Sequence, residues 1–155
     1  MSTITTGMRE QYSDSQKLAA RARLHQDSTV AETPWFPWVA ARLGLSGGEA
    51  VLDIGCGPGW FWAASAEVVP HDIALTLADQ SAGMVEEAVG RCRDAGFAKV
   101  EGRQADAMAL PFADQSFDVV VAMHMFYHLG DQAGAMAEMH RVLKPGGRLV
   151  VTTNG

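Results

Sequence analysis

Acids placed beside glycines and at strand ends carry the chemistry that this chain's residues suggest. Asp53 precedes Gly55-Cys56-Gly57-Pro58-Gly59, a G-x-G-x-G run that follows an apolar stretch and opens a helical one. Glycines let the backbone turn sharply and come close to a ligand, and a helix start offers unpaired N–H groups. Such a turn suits a carboxylate or a phosphate, so the glycines alone do not choose the ligand. Asp53 does. A carboxylate repels a pyrophosphate and favours an ammonium group, so the ligand should carry an amine. The dinucleotide fingerprint G-x-G-x-x-G would need glycine where this chain has Trp60, a residue too bulky for close helix–strand packing. A nicotinamide-dependent oxidoreductase is disfavoured on both counts.

Two histidines, His124 and His128, could act as bases, with an unperturbed pKa of ~6.5. Their spacing superficially resembles a metal-binding helix face. The first should end a strand, however, and no acid supplies a third ligand, so no metal is expected.

Positioning these groups requires strands that alternate with helices. Ala50–Ile54 is a short apolar run ending in glycines, a buried strand, and 60–69 suits a helix. Residues 73–78 form a second strand closed by Asp79. Ser81 can cap a helix with Val85, Ala88, Val89 and Cys92 on one face, Glu87 and Arg91 paired, and an end near Gly96. Lys99–Gln104 is a weaker third strand, and Phe117–Met123 is a Val-rich fourth, buried on both faces. Residues 131–143 suit a helix with Ala135, Met136, Met139, Val142 and Leu143 inward. Lys144-Pro145-Gly146-Gly147 breaks it before a fifth strand over 148–152. The alternation implies an α/β fold with a parallel sheet and right-handed crossovers. Upstream, 13–25 has helical spacing, and a short helix begins near Pro34 or Pro37 and stops before Gly44.

A chain of 155 residues fits one core. A net charge of -6 with no block of Lys and Arg argues against a polynucleotide partner, since such affinity comes largely from phosphate neutralisation. No apolar run approaches the ~20 residues of a membrane span, and the polar N-terminus lacks a signal-peptide core. Cys56 and Cys92 have neither metal-ligand spacing nor a disulfide framework around them. A cytoplasmic setting is expected.

Five motifs in order give the chain a family likeness: VLDIGCGPG, LADQS, QADAMALPF, FDVVVAMHMFYHL and RVLKPGGRLVV. From about Ala50 to Thr153 it resembles the class I S-adenosylmethionine-dependent methyltransferases, particularly the small-molecule group related to quinone-biosynthesis enzymes. The resemblance implies a Rossmann-like, doubly wound sheet of order 3-2-1-4-5, with S-adenosyl-L-methionine as cofactor and S-adenosyl-L-homocysteine as product. It also implies the cofactor-binding residues. Gly55, Cys56, Gly57 and Gly59 would pack against the methionine part, with Asp53 supporting its amine. Asp79 would accept both ribose hydroxyls, since a carboxylate can grip a vicinal diol with two oxygens. Gln80 and Met84 would flank the adenine. Asp106 would accept from its amino group, and Ala107 would offer a backbone N–H. Ala122, Met123 and His124 would end the fourth strand beneath the sulfonium.

Methyl transfer would be an in-line displacement to a small-molecule acceptor, the protein supplying alignment and excluding water. A base is needed only if the acceptor must lose a proton, and His124 and His128 are the candidates, with a pocket-wall role as the alternative. Tyr127 is equally open to either part. Nucleobase-amine methylating enzymes commonly carry D/N-P-P-Y/F after the fourth strand, where this chain reads Ala122-Met123-His124-Met125-Phe126-Tyr127. Tyr12, Trp35, Phe36 and Trp38 could form an aromatic lid, or simply pack on the sheet.

Related enzymes continue past the fifth strand into another helix and an antiparallel strand pair. This chain reads Thr152-Thr153-Asn154-Gly155 there, so a truncated domain is expected. The division would be a helical cap over 1–48 and the cofactor domain over 49–155. The bare fifth-strand edge would favour self-association, and a cofactor-binding, non-catalytic or regulatory fragment is the alternative to a working enzyme.

Overall fold

The computed structural model describes residues 34–153. Tyr12 and the helix expected over 13–25 lie outside the described residues. The elements run α1 (Trp35–Ala40), β1 (Ala50–Ile54), α2 (Trp60–Ala64), β2 (Ala74–Asp79), α3 (Ala82–Asp94), β3 (Lys99–Gln104) and β4 (Phe117–Met123). A one-turn 3-10 helix (Phe126–His128), α4 (Gln132–Val142) and β5 (Leu143–Thr152) complete them. All strand pairings are parallel, and the sheet order is β3-β2-β1-β4-β5, as the resemblance implies. Chain order reverses between β1 and β4, and the carboxyl ends of strands flanking such a switch point open a ligand crevice.

Alternation along β4 builds two cores. Val119 and Val121 join Phe61, Trp62, Ala88 and Cys92 on one face, while Val120 and Ala122 join Ala135, Met139 and Val142 on the other. All four of these β4 side chains are fully buried, each Val contributing roughly 1.5–3 kcal/mol relative to exposure. Helices on both faces explain why β4 reads as an unbroken apolar run rather than an alternating one.

Three expectations need correction. The helix expected over 60–69 ends at Ala64, where the Ser65 N–H turns back to the Phe61 and Trp62 carbonyls. Met136 faces outward at 41% exposure, and the inward stripe of α4 is Ala135, Met139 and Val142. β5 starts at Leu143, not Arg148: Leu143 pairs with Phe117 and Arg148 with Val119, so residues 144–147 bulge opposite Asp118. Asp118 exploits the bulge. Its Oδ2 accepts from the Ala50 N–H at 2.8 Å and from Lys144 Nζ at 3.3 Å, which lowers its pKa, the Ala50 bond first.

The capping and pairing expectations for α3 hold: Ser81 Oγ accepts from the Met84 N–H at 3.3 Å, and Arg91 lies 3.8 Å from Glu87. Arg141 on α4 organises the connection between β3 and β4. Its guanidinium donates to the Leu110 and Phe112 carbonyls at 3.0 and 2.8 Å, to Asp114 at 2.8 Å, and through two bonds to Glu138. Glu138 in turn accepts from the Leu110 N–H at 2.8 Å. Lysine has no planar fork with which to serve these acceptors together. Arg141→Lys is therefore expected to lower unfolding free energy by about 1–3 kcal/mol, measured by urea denaturation.

Candidate cofactor site

The glycine turn is built from β1 outward. After Ile54 the Gly55 and Cys56 N–H groups both donate to the Ala78 carbonyl, at 2.8 and 3.0 Å, tying the turn to the end of β2. Gly55, Gly57 and Gly59 all have positive φ, at 74, 54 and 84°, a region costly for residues with a Cβ. The last two use that freedom differently. A Cβ on Gly59 would stand 2.8 Å from Ala88 Cα, so this glycine lets α3 close on the turn. A Cβ on Gly57 would meet nothing within 4 Å, so open space stands beside that residue. Close helix packing, which Trp60 could not provide, is thus supplied one position earlier.

Asp79, the last residue of β2, joins the turn to α3. Its Oδ2 accepts from the Gly57 N–H at 3.0 Å and its Oδ1 from the Ser81 N–H at 2.9 Å. Burial raises its pKa, and these N–H bonds oppose the rise. Both oxygens therefore have a backbone partner already, each keeping further acceptor capacity. Gln80 follows, its carbonyl accepting from the Gln104 side chain at 2.9 Å, and Met84 is buried in the first turn of α3.

Asp53 is 3% exposed, and the Trp62 indole donates to its Oδ2 at 2.8 Å. Burial pushes its pKa up to about 7, opposed by the indole bond and reinforced by the nearby Asp79 charge. Trp62 was not singled out in the sequence. The signal was present, since a tryptophan set in an apolar helix needs an acceptor for its N–H, and Asp53 is the acid that precedes the turn. Cys56 is buried, its thiol pushed far up in pKa by desolvation first and then by Asp53 and Asp79.

Asp106 folds back on its own loop, accepting from the Met108 N–H at 2.9 Å, while Ala107 is buried. Ala122 is fully buried in β4. His124 follows that strand directly with φ 52°, its N–H bonded to the Thr152 carbonyl at 2.9 Å. A non-glycine residue there is uncommon, though histidine is among those that tolerate it. His128 lies one short turn later, in the 3-10 helix. The structure thus ties the glycine turn to Asp79 through hydrogen bonds and sets buried Asp53 within electrostatic reach of Asp79, with His124 and His128 on the segment leaving β4. Among the described residues no cluster of three or more metal-ligating side chains occurs.

The aromatic segment divides. Phe36 turns into the core against Phe61, whereas Trp35 and Trp38 stack at 5.4 Å and remain 44 and 39% exposed. Trp35 comes within 6.2 Å of the His124 ring, and Arg42 lies over Trp38 at 3.6 Å. Trp35, Trp38, Val39, Arg42 and Val150 to Thr153 line a groove of about 350 Å³. None of the glycine-turn residues or the three acids lines it.

Two outcomes follow from this geometry. Gly59→Ala should lose on the order of 1–3 kcal/mol of stability in urea titration, from positive φ and contact with Ala88. For Asp53, a folded pKa above the unfolded one means stability is complete below about pH 4 and declines as pH rises through about 7. Asp79 adds a change of the same sign. Asp53→Asn should flatten that decline and raise stability at pH 8 by up to roughly 4 kcal/mol, measured by thermal or urea unfolding across pH.

A family described as "Methyltransferase domain" matches residues 52–151. An O-methyltransferase, cnsE, of Penicillium expansum is 38% identical over 114 residues, covering 73% of this chain and 41% of that protein. The ubiquinone/menaquinone biosynthesis C-methyltransferase UbiE of Teredinibacter turnerae is 37% identical, covering 76% of this chain and 47% of that one. The chain thus spans less than half the length of either curated relative. The crystal structure of a SAM-dependent methyltransferase from Aquifex aeolicus superimposes with a TM-score of 0.66 at 25% identity, over 76% of this chain and 62% of that one. With sequence, sheet order and glycine turn in agreement, this chain belongs to the methyltransferase-domain family, whose cofactor is S-adenosyl-L-methionine.

Proposed function

We propose that this chain holds S-adenosyl-L-methionine at the carboxyl ends of β1, β2 and β4 and presents its methyl group to a small-molecule acceptor. The observation that carries this reading is the Asp79 clasp: a strand-end carboxylate 3.0 Å from the N–H of Gly57, the glycine beside which space is open. Carboxylates with spare acceptor capacity match the ammonium group of an amino-acid tail and a nucleoside diol. When bound, the cofactor supplies a sulfonium-activated methyl group, transferable to an oxygen or carbon nucleophile by in-line displacement.

The residues divide the work. Asp53 receives the amine, while Gly55, Cys56, Gly57 and Gly59 shape the bed of the methionine tail. Asp79 receives the ribose hydroxyls, sharing its oxygens with the two backbone N–H groups. Gln80 and Met84 flank the adenine, with Asp106 and the Ala107 N–H at its polar edge. Ala122 lies under the sulfonium. His124 and His128 serve as base for an acceptor that must lose a proton, or as pocket wall for one that need not. The names of the two curated relatives, one an O- and one a C-methyltransferase, support a small-molecule acceptor and leave both atom types open.

A second reading is a cofactor-holding piece without turnover, favoured by the 41–47% of those relatives that the match spans. It would combine a helical cap over 1–48 with the cofactor domain over 49–155. Among the described residues β5 has one strand neighbour, β4, so its outer edge could pair with a second copy of the chain. Buried, unbridged Cys56 and Cys92 suit a reducing cytoplasm. Turnover by this chain beside a form extended at the C-terminus separates the two readings.

Calorimetry with S-adenosyl-L-methionine, S-adenosyl-L-homocysteine and NAD tests the site itself. The first two are expected to bind and NAD to fail. Asp79→Ala should weaken cofactor binding by about 1–3 kcal/mol through lost charge-assisted bonds. Unchanged affinity would remove the ribose assignment.

A further inference from the structure

Trp62 stands in the fully buried core, third residue of the short helix that leaves the glycine turn. Its ring is held on two sides, edge-on to Phe61 at 4.9 Å and to Phe97 at 6.2 Å. That packing fixes where the indole N–H points, and it points at Asp53 Oδ2, 2.8 Å away. Core packing alone would be met by phenylalanine. A donor aimed at a buried carboxylate does something more.

We propose that Trp62 is a positioning residue for the cofactor's ammonium group: its indole N–H fixes the Asp53 carboxylate and favours the ionised form that receives a cation. This rests on the cofactor reading above. The indole occupies Oδ2, so an incoming ammonium would be received first by the acceptor capacity of Oδ1. Burial works against ionisation here, and the indole bond is the counterweight on the same side chain. Among the described residues, the other groups that influence Asp53 offer no help. Asp79 at the end of β2 is a like charge, and Cys56 in the turn and Cys92 on α3 are buried thiols with raised pKa values. Arg91, the basic residue of α3 nearest Cys92 in influence, is spent on the Pro58 carbonyl and on Glu87.

A pH-dependent affinity follows. Asp53 ionises with a pKa of about 7, so affinity for an amine-bearing ligand should fall as pH drops through that value. Removing the indole bond removes an influence that lowers the pKa, so the same fall should begin at higher pH.

The test compares two ligands on Trp62→Phe, which keeps an aromatic ring and loses the donor. S-adenosyl-L-homocysteine carries the amino-acid tail, and 5′-methylthioadenosine lacks it. Trp62→Phe should weaken the first on the order of tenfold at pH 7, with the deficit narrowing towards pH 9. The second should change by less than about twofold, and Trp62→His, which restores a ring N–H, should recover part of the loss. Equal weakening of both ligands, or superimposable pH profiles for variant and parent, would overturn the positioning role. Failure of both ligands to bind the parent chain would instead overturn the cofactor reading, and this inference with it. Should Trp62→Phe not fold, the parent chain still decides. It has four tryptophans, and Trp35→Phe, Trp38→Phe and Trp60→Phe identify the Trp62 indole signal by elimination in ¹⁵N NMR. That signal should titrate with the affinity and shift when S-adenosyl-L-homocysteine binds. An indole signal indifferent to both contradicts the proposal.

Discussion

The Asp79 carboxylate is the junction on which the candidate site depends. One oxygen takes the N–H of Gly57, from the β1 side, and the other takes that of Ser81, at the start of α3. A single side chain thereby sets the distance between two strand ends and one helix cap. Its partners are backbone groups, so they persist through most side-chain changes nearby. Placing a half-buried acid beside buried Asp53 is electrostatically unfavourable, and both carboxyls have raised pKa values in consequence of burial first. A chain seeking stability alone would replace one of them with an amide. Retaining both makes sense if a cation completes the arrangement, and perturbed acids in a crevice are a recurrent mark of function.

Glycines supply the complementary constraint. Gly59 is needed by the protein, because α3 packs on it through Ala88, whereas Gly57 borders unfilled space. Two glycines of one short run therefore answer to different demands, one to folding and one to access. The aromatic core behind the turn, Phe36 against Phe61, Phe61 against Trp62 and Trp62 against Phe97, gives the turn a stiff backing. Rigid support of this kind is what holds polar groups in place for a ligand.

Much of the scaffold could be read before the structure was known. β1 and β4 fall on the expected residues because each is a short apolar run cut off by a turn, and β3, mostly polar around Val100, also falls on its expected residues. The sheet order came from family likeness, not from periodicity, which cannot rank strands. The misses have physical causes. Helical propensity through Ala63-Ala64-Ser65-Ala66 carried the expected α2 too far, because the chain must turn there to enter β2. Met136 sits one position off the i, i+4, i+7 stripe of Ala135, Met139 and Val142, a narrow margin that hydrophobicity alone could not resolve. Lys144-Pro145-Gly146-Gly147 reads as a break, and the fold instead absorbs it as a bulge opposite Asp118. In the site, residue types singled out Asp53 and the turn, and the family likeness singled out Asp79 and Asp106. Their mutual geometry was not legible: that Asp79 clasps Gly57, and that Trp62 reaches Asp53, depends on long-range packing.

The most direct measurement is a crystal structure of this chain grown with S-adenosyl-L-homocysteine. The account places the amino-acid tail over the turn at Gly57 with its amine towards Asp53, and the ribose hydroxyls on Asp79. A nucleoside bound elsewhere, for instance in the Trp35–Trp38 groove with the turn left bare, would contradict it.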